Sequence, residues 1–167
     1  MMDNPKIRVL FVCLGNICRS PMAEAVFAHM VQHRGLSDMF TIDSAGTAGY
    51  HEGAKPDRRS TATCAAHNVP VNHHARRIRK SDFSQFDHIL CMDESNYEDL
   101  VRMQPAASTA QVALFGSYSK TPGDLIIEDP YYGGDDGFRT NFDQVTRCSE
   151  GLLIELGFCL SDRLARE

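Results

Sequence analysis

Cysteine and arginine stand with five residues between them in the run Cys13-Leu14-Gly15-Asn16-Ile17-Cys18-Arg19, and Ser20-Pro21 follows at once. A loop of this kind between a strand and a helix turns successive backbone N–H groups toward one point, capped by the helix N-terminus. The stretch from Leu14 to Ser20 is thereby predicted to cradle a phosphate. Arg19 adds a planar fork of donors matched to two phosphate oxygens. Gly15 permits backbone geometry that a side chain would obstruct, and Asn16 tolerates a left-handed conformation better than most residues. A thiol at the mouth of the cradle feels the same positive field, which favours the nucleophilic thiolate. Ser20 can donate a hydrogen bond to that sulfur. One short loop then supplies nucleophile, dianion clamp and transition-state stabilisation.

Taken singly, these residues have plainer readings: Cys13 as a small core residue, Arg19 as a surface cation, Ser20 as a helix cap. Their combination carries the inference. Other anion loops fit less well. A nucleotide-hydrolase loop needs a lysine after its glycines, and none follows here; a dinucleotide fingerprint needs three spaced glycines, and only Gly15 is present. Zinc held by Cys13 and Cys18 with His73 and His74 is conceivable, but the cysteine spacing is loose and no second pair follows.

The loop must be positioned by what surrounds it. Ile7 to Cys13 is an apolar run suited to a strand buried on both faces. Thr41–Ser44, Ile89–Met92 and Val112–Phe115 are further strand candidates. Ser20-Pro21 reads as a hydroxyl N-cap followed by proline at the first helical position. Met22, Val26, Phe27 and Met30 then recur at helical spacing until Gly35. Pro56–Ala66 and Ser95–Met103 can form two more helices. A last one carries the stripe Phe138, Phe142, Val145, Leu152, Leu156 and stops at Gly157. The alternation predicts an α/β fold: one three-layer domain over residues 1–167, with a central four-stranded parallel sheet and helices on both faces. The phosphate-binding loop follows the first strand, at the carboxyl end where such sheets bind ligands.

Bulk properties agree with a single globular domain. The chain has 167 residues, 43% hydrophobic and 23% charged. A net charge of −5 gives no reason to expect a nucleic-acid partner. The basic run Arg76-Arg77-Ile78-Arg79-Lys80 reads as a solvated edge that could help attract an anionic substrate. No stretch approaches the roughly 20 apolar residues of a membrane span, and no apolar signal segment precedes Cys13. A cytoplasmic protein with reduced thiols is expected. Beyond Cys13 and Cys18, the cysteines Cys64, Cys91, Cys148 and Cys159 read as packing residues.

The stretch Val12-Cys-Leu-Gly-Asn-Ile-Cys-Arg-Ser-Pro21 resembles the signature loop of the low-molecular-weight protein tyrosine phosphatases. Ile89-Leu-Cys-Met-Asp-Glu-Ser-Asn96 and Ile126-Ile-Glu-Asp-Pro-Tyr-Tyr-Gly133 resemble that family's further motifs, in the same order. The resemblance implies hydrolysis of phosphotyrosine, and of aryl phosphates generally, through a phosphocysteine on Cys13, with Arg19 as clamp. It makes Asp129 the general acid and base, a role compatible with the extended backbone that Pro130 imposes; by sequence alone Asp129-Pro130 would be an ordinary turn. It implies that Asn16, Ser20, Ser44 and His73 hold the loop by hydrogen bonds, with Asp93 as a further support. Cys18 matches the family's second cysteine, which can form a disulfide with the nucleophile under oxidation. Tyr50, Tyr131 and Tyr132 are expected to wall a cleft deep enough to favour phosphotyrosine over phosphoserine. The implied partners are phosphotyrosine proteins and inorganic phosphate or similar oxyanions, with no metal or other cofactor, no membrane, and a monomer or weak homodimer.

Three rivals are separable. Arsenate reductases share the fold and the first loop but need a nearby cysteine pair to pass a disulfide outward, and Cys64 and Cys91 are widely spaced. Arginine phosphatases carry threonine where this chain has Ile17. A module that only binds phosphoproteins needs neither thiol nor acid.

Overall fold

The computed structural model describes residues 5–158. Strand β1 (Ile7–Cys13) is followed by helix α1 (Arg19–His33), β2 (Phe40–Gly46), α2 (Arg58–Ala65) and a one-turn α3 (Asp82–Gln85). Then come β3 (His88–Cys91), α4 (Glu94–Met103), β4 (Gln111–Leu114) and the long α5 (Asp135–Glu155). The four strands form one parallel sheet in the order β2-β1-β3-β4, so β1, which ends in Cys13, lies at its interior.

The apolar run of β1 is explained by burial on both faces. Val9, Phe11 and Cys13 alternate toward a core shared with α1 and α5. Leu10 and Val12 face the opposite core, with Phe83, Ile89 and Leu100. Phe11 meets Phe27 and Phe115 at ring-centroid distances of 5.7 and 4.8 Å. α1 and α5 thus cover one face and α3 with α4 the other, the three layers expected. Cys64, Cys91 and Cys148 are buried among these side chains; Cys159 lies outside the described residues. Among the described residues no helix is long and apolar enough to cross a membrane.

The strand and helix bounds differ from the sequence expectation by a few residues, and two differences have physical content. Phe115 does not extend β4; it opens a short 3-10 turn and turns inward onto Phe11. Helix α1 begins at Arg19 rather than after a Ser20 cap: Cys18 is its N-cap and makes no side-chain capping bond. Pro21 still falls within the first turn, where its missing N–H costs nothing. At the other end Gly35 takes φ +69, and the Leu36 N–H reaches the Val31 carbonyl at 2.9 Å, closing the helix as a left-handed glycine does.

Candidate active site

The hydroxyl withheld from the cap of α1 serves the cysteine instead. Ser20 Oγ lies 3.0 Å from Cys13 Sγ, and the Asn16 backbone N–H donates to the same sulfur at 3.3 Å. Asn16 adopts φ 57, the left-handed twist anticipated for it. The reason for Gly15 is different from the one expected. Its φ is not left-handed; a Cβ there would lie 2.9 Å from Cδ2 of His51, so the glycine makes room for a neighbouring side chain.

Behind the sulfur runs a directed chain of hydrogen bonds. His73 Nε2 is 2.8 Å from Asn16 Oδ1, and the Arg76 N–H donates to that oxygen at 2.9 Å. With its oxygen so engaged, Asn16 must point Nδ2 at the serines, and it donates to Ser20 Oγ at 2.8 Å and Ser44 Oγ at 3.0 Å. Ser20 can then turn its own proton to Cys13 at 3.0 Å, the Ala45 carbonyl standing farther off at 3.5 Å. Asn16, Ser20 and Ser44 are fully buried, where an unpaired polar group would be costly, so the network holds the loop in one arrangement.

The chain continues to groups that sequence reading missed. His73 Nδ1 faces Glu24 Oε1 at 3.3 Å and Asp43 Oδ1 at 3.8 Å. Burial pushes the Glu24 carboxyl up to about 8 and His73 below its ordinary value. Burial thus opposes charge on both groups, and with Nδ1 turned toward Glu24 the ring presents Nε2 to the Asn16 oxygen. Arg76, placed by sequence in a solvated basic edge, is half-buried and ties Asp43 (3.1 Å) to Asp82 (3.0 Å). The expectation fails for Arg76 because the run forms a β-bridge from Arg77 to Gly46 and buries Ile78 beside the sheet; Arg77, Arg79 and Lys80 are exposed. No local pattern marks Glu24 or Asp43 beforehand; their partners lie on other elements.

Arg19 is drawn inward by three acceptors. Its Nη1 donates to Asp93 Oδ2 at 2.6 Å and to the Ile127 carbonyl at 3.0 Å, while Nη2 lies 3.7 Å from Asp129 Oδ2. Burial opposes its charge, but Cys13, Asp93 and Asp129 outweigh that and raise its pKa further. Asp93 divides its carboxylate: Oδ1 caps α4 by accepting the Asn96 N–H at 2.9 Å, and Oδ2 holds Arg19. Among the described residues, the Nε and Nη2 edge of Arg19 donates no hydrogen bond to protein. Two parallel N–H groups are therefore free for an oxyanion.

Cys13, Arg19 and Asp129 line one cleft of about 320 Å³, with Leu14, Gly15, Ile17 and Cys18 as its floor. Tyr50, His51, Tyr131 and Tyr132 rise around it. Tyr131 is half-buried and meets Tyr132 edge-on at 4.8 Å. Tyr50 and Tyr132, 76% and 94% exposed, are posts at the rim rather than walls. Burial, then the nearby Asp57, pushes the Cys18 thiol up to about 12; burial does the same to Cys64, Cys91 and Cys148. The Cys13 sulfur lies between the Asn16 N–H and the Ser20 hydroxyl. The donor group close enough to share a cation, among the described residues, is Glu24, Asp43 and His73. This is not the Cys13, Cys18, His73, His74 set conceivable from sequence.

A cysteine and an arginine in one anion-binding loop, at the carboxyl end of an interior parallel strand, define a cysteine-dependent phosphate-binding α/β protein. Comparison with known proteins narrows this. Residues 8–162 match the family model described as low molecular weight phosphotyrosine protein phosphatase. The human protein of that name is 50% identical over 147 residues, covering 87% of this chain and 92% of its own. A protein tyrosine phosphatase from Entamoeba histolytica, solved with Hepes in its active site, superposes with a TM-score of 0.87 at 38% identity, covering 90% of this chain and 97% of its own. A Drosophila arginine phosphatase superposes at 0.86 with 39% identity, covering 90% and 98%. The chain belongs to the low molecular weight phosphotyrosine protein phosphatase family, a family of hydrolases.

Proposed function

We propose that this chain, read as one phosphatase domain, hydrolyses phosphotyrosine in proteins, with Cys13 as nucleophile, Arg19 as clamp and Asp129 as acid and base. The observation that carries the reading is the sulfur itself, which accepts the Asn16 N–H and faces Ser20 in the cleft that also holds Arg19 and Asp129. The dianion binds across the loop N–H groups and the free edge of Arg19. The thiolate attacks phosphorus, forming the S–P bond as the bond to the tyrosine oxygen breaks. The departing electron pair stays on that oxygen, which takes its proton from the Asp129 carboxyl. A water then attacks the phosphocysteine and gives its proton to the Asp129 carboxylate. The S–P bond breaks, returning the thiolate and releasing inorganic phosphate. Each time negative charge gathers on phosphorus oxygens, the cradle is already in place to meet it.

Ser20 supports the sulfur as leaving group in the second step, and the Glu24–His73–Asn16 chain supports Ser20. Tyr131 offers an aromatic face to the substrate ring, with Tyr50 and Tyr132 closing the rim. Cys18, kept as a thiol by burial, is the partner with which an oxidised Cys13 forms a protective disulfide. We place the protein in the cytoplasm as a monomer or weak homodimer.

The test is turnover of phosphotyrosine, phosphoserine and phosphoarginine peptides by the protein and its Cys13→Ser variant. Phosphotyrosine should be cleaved fastest, and the variant should lose turnover while still binding phosphate. Near-normal activity of Cys13→Ser would overturn the mechanism; faster release from phosphoarginine would reassign the substrate class.

A further inference from the structure

Asp129 sits on a loop without regular structure, between β4 and α5, and its side chain is 39% exposed. A general acid must be held within hydrogen-bond reach of the leaving oxygen, so something must fix this loop. Oδ2 of Asp129 faces Arg19 Nη2 at 3.7 Å, and among the described residues the one hydrogen bond its side chain makes lies within its own loop: the Tyr131 N–H donates to Asp129 Oδ1 at 3.1 Å. The orientation of the carboxyl therefore depends on where the Tyr131 residue is held.

Tyr131 is gripped from its other side by Arg59. The guanidinium Nη2 donates to the Tyr131 carbonyl at 3.1 Å, and Cζ lies 5.5 Å from the Tyr131 ring and 4.7 Å from the Phe138 ring. Phe138 is fully buried, so the guanidinium rests on fixed core. The fork is anchored at its base as well: Nε and Nη2 reach Asp57 Oδ1 and Oδ2 at 3.1 and 3.0 Å. Asp57 in turn caps α2 through the Arg59 N–H at 2.9 Å.

The foundation of this arm is the phosphate loop. The Asp57 N–H donates to the Ile17 carbonyl at 2.7 Å, and Ser60 Oγ donates to the Cys18 carbonyl at 2.9 Å. The first turn of α2 is thus fastened to the loop that carries the nucleophile, and Arg59 reaches from it to the loop that carries the acid. We propose that Arg59 is a positioning residue for Asp129, setting the acid's location relative to Cys13 through the Tyr131 backbone. This rests on the reading of Asp129 as the general acid.

Several features separate positioning from a general effect of charge. Arg59 uses a planar fork, a carbonyl bond and two ring faces together, a set that lysine's point charge cannot reproduce. Its neighbour Arg58 lines the adjoining groove and makes no side-chain bond among the described residues, so Arg58→Met is a control for loss of a positive charge nearby.

The experiment measures kcat for a series of aryl phosphates, from dinitrophenyl to phenyl phosphate, with Arg59→Met, Arg59→Lys, Arg58→Met, Asp129→Ala and the double variant Arg59→Met/Asp129→Ala. A positioned acid contributes roughly 10²–10⁴-fold to proton-assisted cleavage. Arg59→Met should lose about tenfold or more of that on phenyl phosphate and markedly less on dinitrophenyl phosphate, whose leaving group needs no proton. Arg59→Lys should behave like Arg59→Met, and Arg58→Met like the unaltered protein. In the Asp129→Ala background the Arg59 change should cost less than about twofold more, because residues acting as a unit are not additive.

Equal losses on every aryl phosphate, full rescue by Lys, or losses that multiply in the double variant would each overturn the proposal. The Asp129→Ala series stands apart: if it shows no dependence on the leaving group, Asp129 is not the acid, and the underlying reading fails on its own evidence. Circular dichroism of Arg59→Met, and the ratio of its two rates rather than either rate alone, keep a folding defect from passing as a positioning effect.

Discussion

Replacing Asp93 separates two tasks performed by one carboxylate. Oδ1 caps α4, and Oδ2 neutralises Arg19, whose side chain is 3% exposed. Removing one partner of a buried ion pair costs roughly 3–5 kcal/mol, since the other charge is left without compensation. Here the cost should fall below that range: Asp93 is 23% exposed, and Arg19 keeps the Ile127 carbonyl at 3.0 Å with Asp129 at 3.7 Å. About 2–3 kcal/mol is expected for Asp93→Asn, which deletes the charge but retains a good capping oxygen. Asp93→Ala removes the cap as well, for about 1 kcal/mol more. Urea unfolding at neutral pH, followed by far-ultraviolet circular dichroism, measures both. The same variants should lose about 10²-fold in kcat/KM on an aryl phosphate, the scale of a roughly 1 Å displacement of a catalytic group. If Asp93→Asn stayed within about 0.5 kcal/mol of the unaltered protein, the ordinary range of surface substitutions, the ion pair would not be what holds Arg19. If alanine proved no worse than asparagine, the cap would contribute nothing.

Iodoacetate at neutral pH should carboxymethylate Cys13 first and be blocked by phosphate, as read by mass spectrometry of peptides. Cys18, Cys64, Cys91 and Cys148, pushed up to about 12 by burial, should stay unalkylated by iodoacetate in the folded protein. Gly151→Ala should destabilise by about 3 kcal/mol, the upper part of the overpacking range. Its Cβ would fall 1.8 Å from the Tyr118 carbonyl oxygen, and calorimetry would show the loss. Hydrogen bonding from Arg147 holds the Asp124 carboxyl below its ordinary value. Its contribution to stability is therefore present above the unfolded value near 3.8 and lost as pH falls toward the folded one. Asp124→Asn should flatten the fall in stability below about pH 4; an unchanged slope in acid unfolding would count against that pair.

What was legible in the amino-acid order was what is local in the chain. The β1 run announced an interior strand because both its faces are covered, and the loop from Cys13 to Ser20 contains, within eight residues, nucleophile, clamp and the φ 57 hinge at Asn16. Family resemblance extended this to Asp129 and to the supports Ser44, His73 and Asp93. The local Ser20-Pro21 pattern also suggested Ser20 as a cap, and there tertiary structure overruled local preference: the hydroxyl faces the buried Cys13 sulfur and the buried Asn16 amide instead of the helix terminus. Nothing local could mark Glu24, which bears on the loop only through His73, or Arg76, whose partners Asp43 and Asp82 stand 33 and 6 residues away. Arg59 is the extreme case. Its contacts with Asp57 lie two residues off, but its grip on Tyr131 spans 72. A nucleophile can be written into one short loop, because backbone N–H groups adjacent in sequence converge in space. The distance from that nucleophile to Asp129 depends on two loops far apart in the chain, and it is set by tertiary contacts between them, directly through Arg19 and by way of α2 through Arg59.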